Sequence, residues 1–161
     1  MKQKGFTLIE LIVTMGIIAV LTGMAIFNFN ESRIRARDVS RKSDLSQLVK
    51  ALELYKVDNG TYPLVGPNQV DTFQTNYLIG AGYAKVPFVD PQGSGWAKYK
   101  YLNPGNDPLK YYMMACLENI ADSTRTIDPN ICHQFDNNLG LGSACKCGQA
   151  SAGVMYIVSN P

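Results

Sequence analysis

The residues best suited to chemistry in this 161-residue chain are four cysteines and one histidine, all in its last third. Cys132 and His133 are neighbours, and Cys145 is followed two positions later by Cys147. Adjacent side chains rarely aim at one substrate atom, so Cys132 and His133 make a poor nucleophile–base pair. No G-x-S-x-G, P-loop or H-E-x-x-H motif occurs either. We therefore predict that the chain is not an enzyme and needs no cofactor.

The cysteines have two other possible roles. Zinc could be held by Cys132, His133, Cys145 and Cys147, but their spacing lacks the C-x2-C pair of a zinc knuckle. An even number of cysteines is instead typical of disulfides in an oxidising compartment. A bond between Cys145 and Cys147 is disfavoured, because the two side chains point to opposite sides of an extended chain. We therefore predict two disulfides among Cys116, Cys132, Cys145 and Cys147, with Cys116 not paired to Cys132. Of the three possible connectivities of four cysteines, two stay open. A zinc site is the alternative to disulfides.

A lone carboxylate, Glu10, lies near the start of an apolar run. From Phe6 to Phe29 the chain has 24 residues and no other ionisable group. As a helix this run would be about 36 Å long, enough to cross a hydrocarbon core of about 30 Å. It is too long for the apolar region of a secretory signal, and no A-x-A-like cleavage site follows it. We therefore predict a retained transmembrane helix.

The helical pattern continues beyond this run as an amphipathic one. Apolar residues recur at helical spacing on one face, at Leu45, Leu48, Val49, Leu52 and Tyr55. Asp58-Asn59-Gly60 is typical of a helix end, and Pro63 follows. The prediction is one helix over 6–59. Gly16 and Gly23 within it indicate either close packing between helices or a place where the helix extends.

The remaining residues, 61–161, read as loops and strands. The predicted strands are 98–101, 110–118 and 154–158, with a turn at 104–108 joining the first two. The segment 119–153 is rich in Asp, Asn, Gly and Cys and is expected to be irregular. The fold class is therefore α+β: a long N-terminal helix with a small C-terminal antiparallel sheet that lies on the apolar stripe.

Charge gives conflicting indications of orientation. Five basic residues follow the apolar run within 13 positions, whereas only Lys2 and Lys4 precede it, which would place the C-terminal side in the cytoplasm. The cysteines favour an oxidising compartment for that side, and we give them more weight than the basic residues.

The head is nearly neutral. From Gly60 to the end, six Lys/Arg balance seven Asp/Glu, so the head has no excess of positive charge with which to bind nucleic acid.

Two stretches resemble a known family. Gly5-Phe6-Thr7-Leu8-Ile9-Glu10, preceded by lysines, resembles the signal of type IV prepilins, which type IV pilins share with the pseudopilins of secretion and competence systems. Residues 41–63 are similar to the helix end and exit of the same proteins. The resemblance implies that a prepilin peptidase cleaves between Gly5 and Phe6, and that the new amino terminus at Phe6 is methylated. It also supports an extracytoplasmic head, since the basic leader stays at the cytoplasmic face.

The resemblance also implies a role for Glu10: its carboxylate would pair with the Phe6 ammonium of a preceding subunit during assembly. The alternative is a carboxylate that reaches the headgroups or caps the helix start. Asp90-Pro-Gln-Gly-Ser-Gly-Trp96 is similar to a segment of major pseudopilins beside which calcium can bind, and the loops 122–128 and 136–138 could add oxygen ligands. No regular ligand spacing is present, so ordinary turn chemistry is preferred to calcium near Asp90.

A basic stripe lies just beyond the apolar run. Arg33, Arg37 and Arg41 recur at i, i+4 and i+8 of the predicted helix. One interpretation is a solvated face. The other is a surface that meets acidic residues of neighbouring subunits or anionic lipid headgroups.

The expected function is that of a structural subunit of a type IV pilus-like extracellular filament. The alternatives are a pseudopilin of a type II secretion or competence system and a membrane-anchored extracytoplasmic binding domain. The implied partners are prepilin peptidase, identical or related subunits, a membrane assembly platform and, before assembly, the lipid bilayer. The predicted parts are a leader (1–5), a transmembrane and assembly helix (6–29), an amphipathic helix (30–60) and a head (61–161).

Overall fold

The computed structural model describes residues 5–65, 68–93, 98–132, 135, 147 and 153–160, and omits the side chains of 25–28, 68–69 and 71–72. The chain divides into an N-terminal unit that ends at Arg35 and a head unit that begins at Ala36. Among the residues discussed above, Lys2, Lys4, His133 and Cys145 lie outside the described ranges, as does the loop 136–138.

One helix, α1 (Leu8–Asn59), contains 52 residues, two fewer than predicted. It ends at Gly60, whose φ of +77° is a conformation that glycine adopts without strain. The Gly60 N–H donates to the Lys56 carbonyl at 2.7 Å, which satisfies one of the last carbonyls of the helix. The predicted helix and its exit are confirmed.

Within the described ranges, four strands form one antiparallel sheet in the order β1 (Asn68–Gln69), β2 (Lys100–Leu102), β3 (Tyr112–Leu117) and β4 (Val154–Ser159). In the register of the sheet, Met114 of β3 lies opposite Lys100 of β2 and Ile157 of β4. The three longer strands coincide with those predicted, so the α+β class is confirmed. The two-residue strand β1 at one edge was not predicted.

A short helical segment between β1 and β2 contradicts the expectation of loops and strands alone. Residues Val70–Phe73 form helix α2, which continues as a π-helix over Gln74–Ile79. Valine, threonine, asparagine and aspartate are weak helix formers, so propensity gave no signal here. Burial decides instead: Phe73 stacks on Tyr101 with ring centroids 4.2 Å apart, and the Gln74 amide exchanges two hydrogen bonds with the Phe88 backbone.

The main core lies between α1 and one face of the sheet. Leu45, Leu48 and Leu52 are fully buried and pack in one cluster with residues from the sheet and the segments beside it, among them Tyr99, Tyr101, Tyr111, Met113 and Ala115. Each fully buried leucine contributes about 1.5–3 kcal/mol relative to an exposed one. The predicted packing of the sheet on the apolar stripe is confirmed.

The opposite face of the sheet is covered by a second, sulfur-rich cluster. It contains Leu102, Met114, Cys116, Cys132, Phe135, Cys147 and Met155. Cys116 and Cys147 form a disulfide across 31 positions, and Cys132 is also disulfide-bonded. In the chain-entropy model, closing a loop of this size stabilises a fold by about 3–4 kcal/mol. Cys147, one of the four possible zinc ligands, is therefore held in a covalent bond, and of the two connectivities left open the structure contains the one with Cys116 bonded to Cys147. A bond from Cys132 to Cys145 is then expected.

The core assignment is tested by Leu48→Ala in the full chain in detergent. Because Leu48 is fully buried, the free energy of unfolding should fall by about 2–5 kcal/mol. Val57→Ala on the same helix is the matched control: Val57 is 80% exposed, so the change should stay within about 0.5 kcal/mol. Equal losses in the two variants, measured by denaturant titration, would contradict the assignment.

Peptide mapping without reductant tests the disulfides. Lys146 lies between Cys145 and Cys147, so trypsin separates those two cysteines. Trypsin also cleaves after Arg125, so Cys132 and Cys145 share the peptide 126–146, while Cys116 lies on 111–125 and Cys147 on 147–161. The expected products are 111–125 linked to 147–161, and an unlinked peptide 126–146 that carries an internal disulfide. A link between 111–125 and 126–146 would disprove this arrangement.

Candidate assembly site and charged hub

The helix start holds the carboxylate that the sequence singled out. One Glu10 carboxylate oxygen accepts hydrogen bonds from the Thr7 N–H at 2.9 Å and the Thr7 hydroxyl at 2.6 Å. The Glu10 N–H donates in return to the Thr7 hydroxyl oxygen at 3.4 Å. This reciprocal arrangement is a capping box, which satisfies backbone donors that the first turn of a helix leaves unpaired. Within a single chain, Glu10 therefore caps α1, and Gly5 and Phe6 lie exposed just before it.

The first part of α1 is the one helix in the described chain that is long and apolar enough to cross a membrane. Its most apolar 18-residue window has a mean hydropathy of 2.2, and none of that window is buried within the chain. Val13, Ile17 and Val20 border an open apolar groove at Gly16, where a Cβ would meet no atom within 4 Å. Lipid or other helices must cover such a surface, since exposing it to water is unfavourable.

A cluster of ionised side chains joins α1 to the sheet within the head unit; we call Arg37, Asp38, Arg41, Asp90 and Glu118 the hub. Arg41 is fully buried and donates to all three carboxylates. Its Nε and one Nη bind the two Asp90 oxygens at 2.7 and 3.0 Å. Its other Nη binds Asp38 and Glu118, each at 2.7 Å. The charge of Arg41 is thereby matched in the absence of water, as a buried guanidinium requires.

The rest of the hub attaches the end of β3 to the helix. Arg37 binds both Glu118 oxygens, a bidentate pair. The Asp38 oxygens accept the backbone N–H groups of Glu118 at 2.9 Å and of Asn119 at 2.8 Å. The turn that follows β3 therefore takes its shape from the helix.

A second ion pair extends this attachment along the loop after β3. Lys42 contacts Asp122 at 2.6 Å, and the other Asp122 oxygen accepts the Thr124 N–H and hydroxyl. Burial alone would raise the pKa of Asp122, but the hydrogen bonds from Lys42 and Thr124 outweigh it and lower that pKa to about 2. Hydrogen bonds from Arg37 likewise hold the pKa of Glu118 below its usual value, with Arg41 adding to the effect. Both carboxylates are ionised at neutral pH.

Two members of the predicted basic stripe thus have partners inside their own chain. Arg37 and Arg41 bind hub carboxylates, and because Arg41 is fully buried, neither a solvated face nor contacts with neighbouring subunits describes Arg41. Arg33 is exposed and belongs to the N-terminal unit, so both interpretations stay open for it. Sequence reasoning did not find Glu118 as a partner, although a carboxylate directly after a buried strand is the signal that could have pointed to it.

The calcium alternative near Asp90 does not fit the residues present. Both Asp90 oxygens accept from Arg41, and Asp122 accepts from Lys42 and Thr124. Asp128 accepts the Asn130 N–H at the start of a short helical turn. Among the described residues no group of three or more His, Cys, Asp or Glu side chains could hold a metal ion. Asp90 is instead a turn residue, as preferred: its carboxylate also accepts the Gln92 N–H at 2.9 Å.

Comparison with known proteins adds the family. Residues 1–26 match the prokaryotic N-terminal methylation motif, and residues 28–131 match the family described as type II secretion system (T2SS), protein G. The second match covers more than half of the chain. This chain belongs to the protein G family of type II secretion systems.

Individual relatives agree. The type II secretion system core protein G of Klebsiella pneumoniae is 34% identical over 112 residues, covering 65% of this chain and 77% of that protein. The protein of the same name from Vibrio cholerae is 35% identical over 112 residues, covering 65% and 74%. The type IV wide pilus major component PilA4 of Thermus thermophilus is 44% identical over 61 residues, covering 38% and 47%. No solved structure matches the chain significantly.

The predicted resemblance to pilins and pseudopilins is therefore confirmed. The methylation motif and the family together imply processing by a peptidase and polymerisation with related subunits. With the apolar helix they fit a membrane-anchored precursor of a periplasmic or extracellular filament. The protein G match ends at residue 131, so Cys132, Cys147 and β4 lie beyond it.

Acid should weaken the head unit through the hub and its neighbour. The pKa values of Glu118 and Asp122 are lower in the fold than their usual 4.5 and 3.8, so the unfolded chain binds protons more tightly. Their contribution to stability is therefore complete above about pH 5 and is lost as pH falls from 4.5 towards 2.

The measurement is the melting temperature of the head as a function of pH, followed by circular dichroism. Glu118→Gln should lower the melting temperature at pH 7. It should also reduce the fall in melting temperature between about pH 5 and pH 2, because one of the titrating carboxylates is gone. Glu31→Gln removes an exposed carboxylate with no partner among the described residues, so it should keep the wild-type curve. A Glu118→Gln curve parallel to wild type would contradict the role of Glu118.

Proposed function

We propose that this chain is a pseudopilin that polymerises into the filament of a type II secretion system. The match of residues 28–131 to the protein G family carries the proposal. It reverses the order of the expectations above, in which a pilus subunit stood first and a pseudopilin second. The relatives named for secretion match over 112 residues, whereas the pilus relative matches over 61.

In this proposal maturation begins with cleavage between Gly5 and Phe6 by a prepilin peptidase. Both residues are exposed and precede the first turn of α1, so a protease can reach a non-helical backbone there. Glycine has no Cβ, which allows close approach to that backbone. Methylation of the new Phe6 amine would follow, and the membrane assembly platform would then receive the mature subunit.

The apolar part of α1 serves both states of the subunit. Before assembly it faces lipid, and after assembly it faces the helices of other subunits. Small residues such as Gly16 and Gly23 allow close backbone contact, because no neighbouring atom within their chain occupies the Cβ positions. Hydrophobicity alone does not favour one state, since lipid tails are as apolar as leucine.

Glu10 would give assembly its direction and register. In the single chain it caps α1 through Thr7, so it enters the membrane with hydrogen-bond donors in place. On docking, the carboxylate would exchange these donors for the Phe6 ammonium of the preceding subunit. A wrong register would leave one or both charges unpaired in apolar surroundings, where a carboxylate costs about 2.5–3.5 kcal/mol.

Glu10→Val tests this role of the carboxylate. The variant should be inserted and cleaved at Gly5 but should yield few filaments, measured by shearing cells and sedimenting the released polymer. Thr7→Val is the matched control, because it removes the hydroxyl of the capping box and keeps the carboxylate. If Glu10 acted only as a cap, both variants would lose filaments equally.

A type IV pilus subunit is the second candidate, favoured by the 44% identity to the Thermus thermophilus pilus component. Deletion of the gene separates the two. A pseudopilin is required for the appearance of secreted enzymes in the culture medium and not for surface pili. Loss of pili with normal secretion would establish the pilus subunit instead. Recovery of the chain only as a membrane-bound monomer would support the third alternative, an anchored binding domain.

A further inference from the structure

We propose that the guanidinium of Arg41 takes the place of a divalent cation in the hub. The hub carboxylates therefore hold no calcium, and the arrangement of the hub does not depend on calcium. The proposal is independent of whether the filament serves secretion or a pilus. It concerns the segment around Asp90, which by its resemblance to other pseudopilins was the place to look for a calcium ion.

The oxygen atoms of the hub are already occupied. The two Asp90 oxygens bind the Arg41 fork, and one of them also accepts the Gln92 N–H. One Asp38 oxygen accepts from Arg41 and the Glu118 N–H, and the other from the Asn119 N–H. One Glu118 oxygen accepts from Arg37 and Arg41, and the other from Arg37.

All six carboxylate oxygens of the hub therefore accept at least one N–H donor. Each carboxylate oxygen has two lone pairs, and in the hub at least one of them already accepts an N–H. The lone pairs that remain are too few for the shell of about 6–8 oxygen ligands that calcium takes. An ion could bind only by displacing the buried Arg41 from its carboxylates. A bound ion beside the retained guanidinium would meet like-charge repulsion in a buried site.

The carboxylate of Asp122, beside the hub, also has its oxygens occupied by hydrogen-bond donors. Asp122 binds Lys42 through one oxygen and Thr124 through the other. Side-chain cations from three positions of α1, at Arg37, Arg41 and Lys42, thus neutralise the acidic groups of the loops. Because these cations are covalently part of the helix, they place the loops on α1 without any dependence on ion concentration.

The experiment observes Arg41 directly in the full chain in detergent micelles. The Nε–H groups of the arginines give NMR signals, and Arg41→Lys identifies the signal of Arg41 by its loss, with Arg37→Lys as the matched assignment control. Calcium chloride is added to about 10 mM, well above the dissociation constants of about 0.1–1 mM typical of weak extracellular calcium sites. Magnesium chloride at the same concentration controls for ionic strength.

The Arg41 signal is expected to keep its position throughout the calcium titration, and to match the sample treated with a chelator. A saturable shift or loss of this signal with calcium, absent with magnesium, would overturn the proposal. The melting temperature is recorded in parallel. A calcium-dependent rise in melting temperature with an unmoved Arg41 signal would assign the ion to another part of the chain and would uphold the closed hub.

Discussion

The head unit depends on the burial of one cation, Arg41. Removing one partner of a buried ion pair costs about 3–5 kcal/mol, because a charge is left without compensation. Arg41 avoids this only when three parts of the head are in place together: the helix turn with Asp38, the turn at Asp90 and the end of β3 at Glu118. The main effect of the hub is therefore on specificity: an alternative placement of a loop would leave a guanidinium or a carboxylate without its partner. Its net contribution to stability is smaller.

The N-terminal unit is organised by the opposite constraint. Its apolar run is exposed, with Leu8, Ile12 and Met15 between 58% and 76% accessible, so nothing in the described chain specifies what covers these side chains. Apolar contact is not directional. The specific information in this unit must come from its polar, charged and small residues, among them the Thr7–Glu10 box, the glycines and Arg33. In the proposed assembly, the same apolar surface would contact lipid before polymerisation and other helices after it. The polar residues would then determine which of the two surroundings is favoured.

The features that could be predicted from the sequence are those that leave a local pattern of hydrophobic spacing or turn residues. The bounds of α1, the three main strands and the apolar stripe of Leu45, Leu48 and Leu52 follow from spacing, and the structure confirms them. The helical segment from Val70 to Ile79 did not follow, because burial overrides weak propensity there. The hub was also missed: Arg41 and Glu118 are 77 positions apart, and no local pattern reports a pairing at that distance.

The capping box shows how one carboxylate can serve two states. Thr-x-x-Glu is a local motif, and replacing the capping residue typically costs about 0.5–2 kcal/mol. That cost is small beside the penalty for an unpaired carboxylate in apolar surroundings. In the docking proposed above, Glu10 would therefore leave Thr7 for a neighbouring ammonium when one is correctly placed, and return when none is. The cap and the assembly contact would then be successive uses of one group.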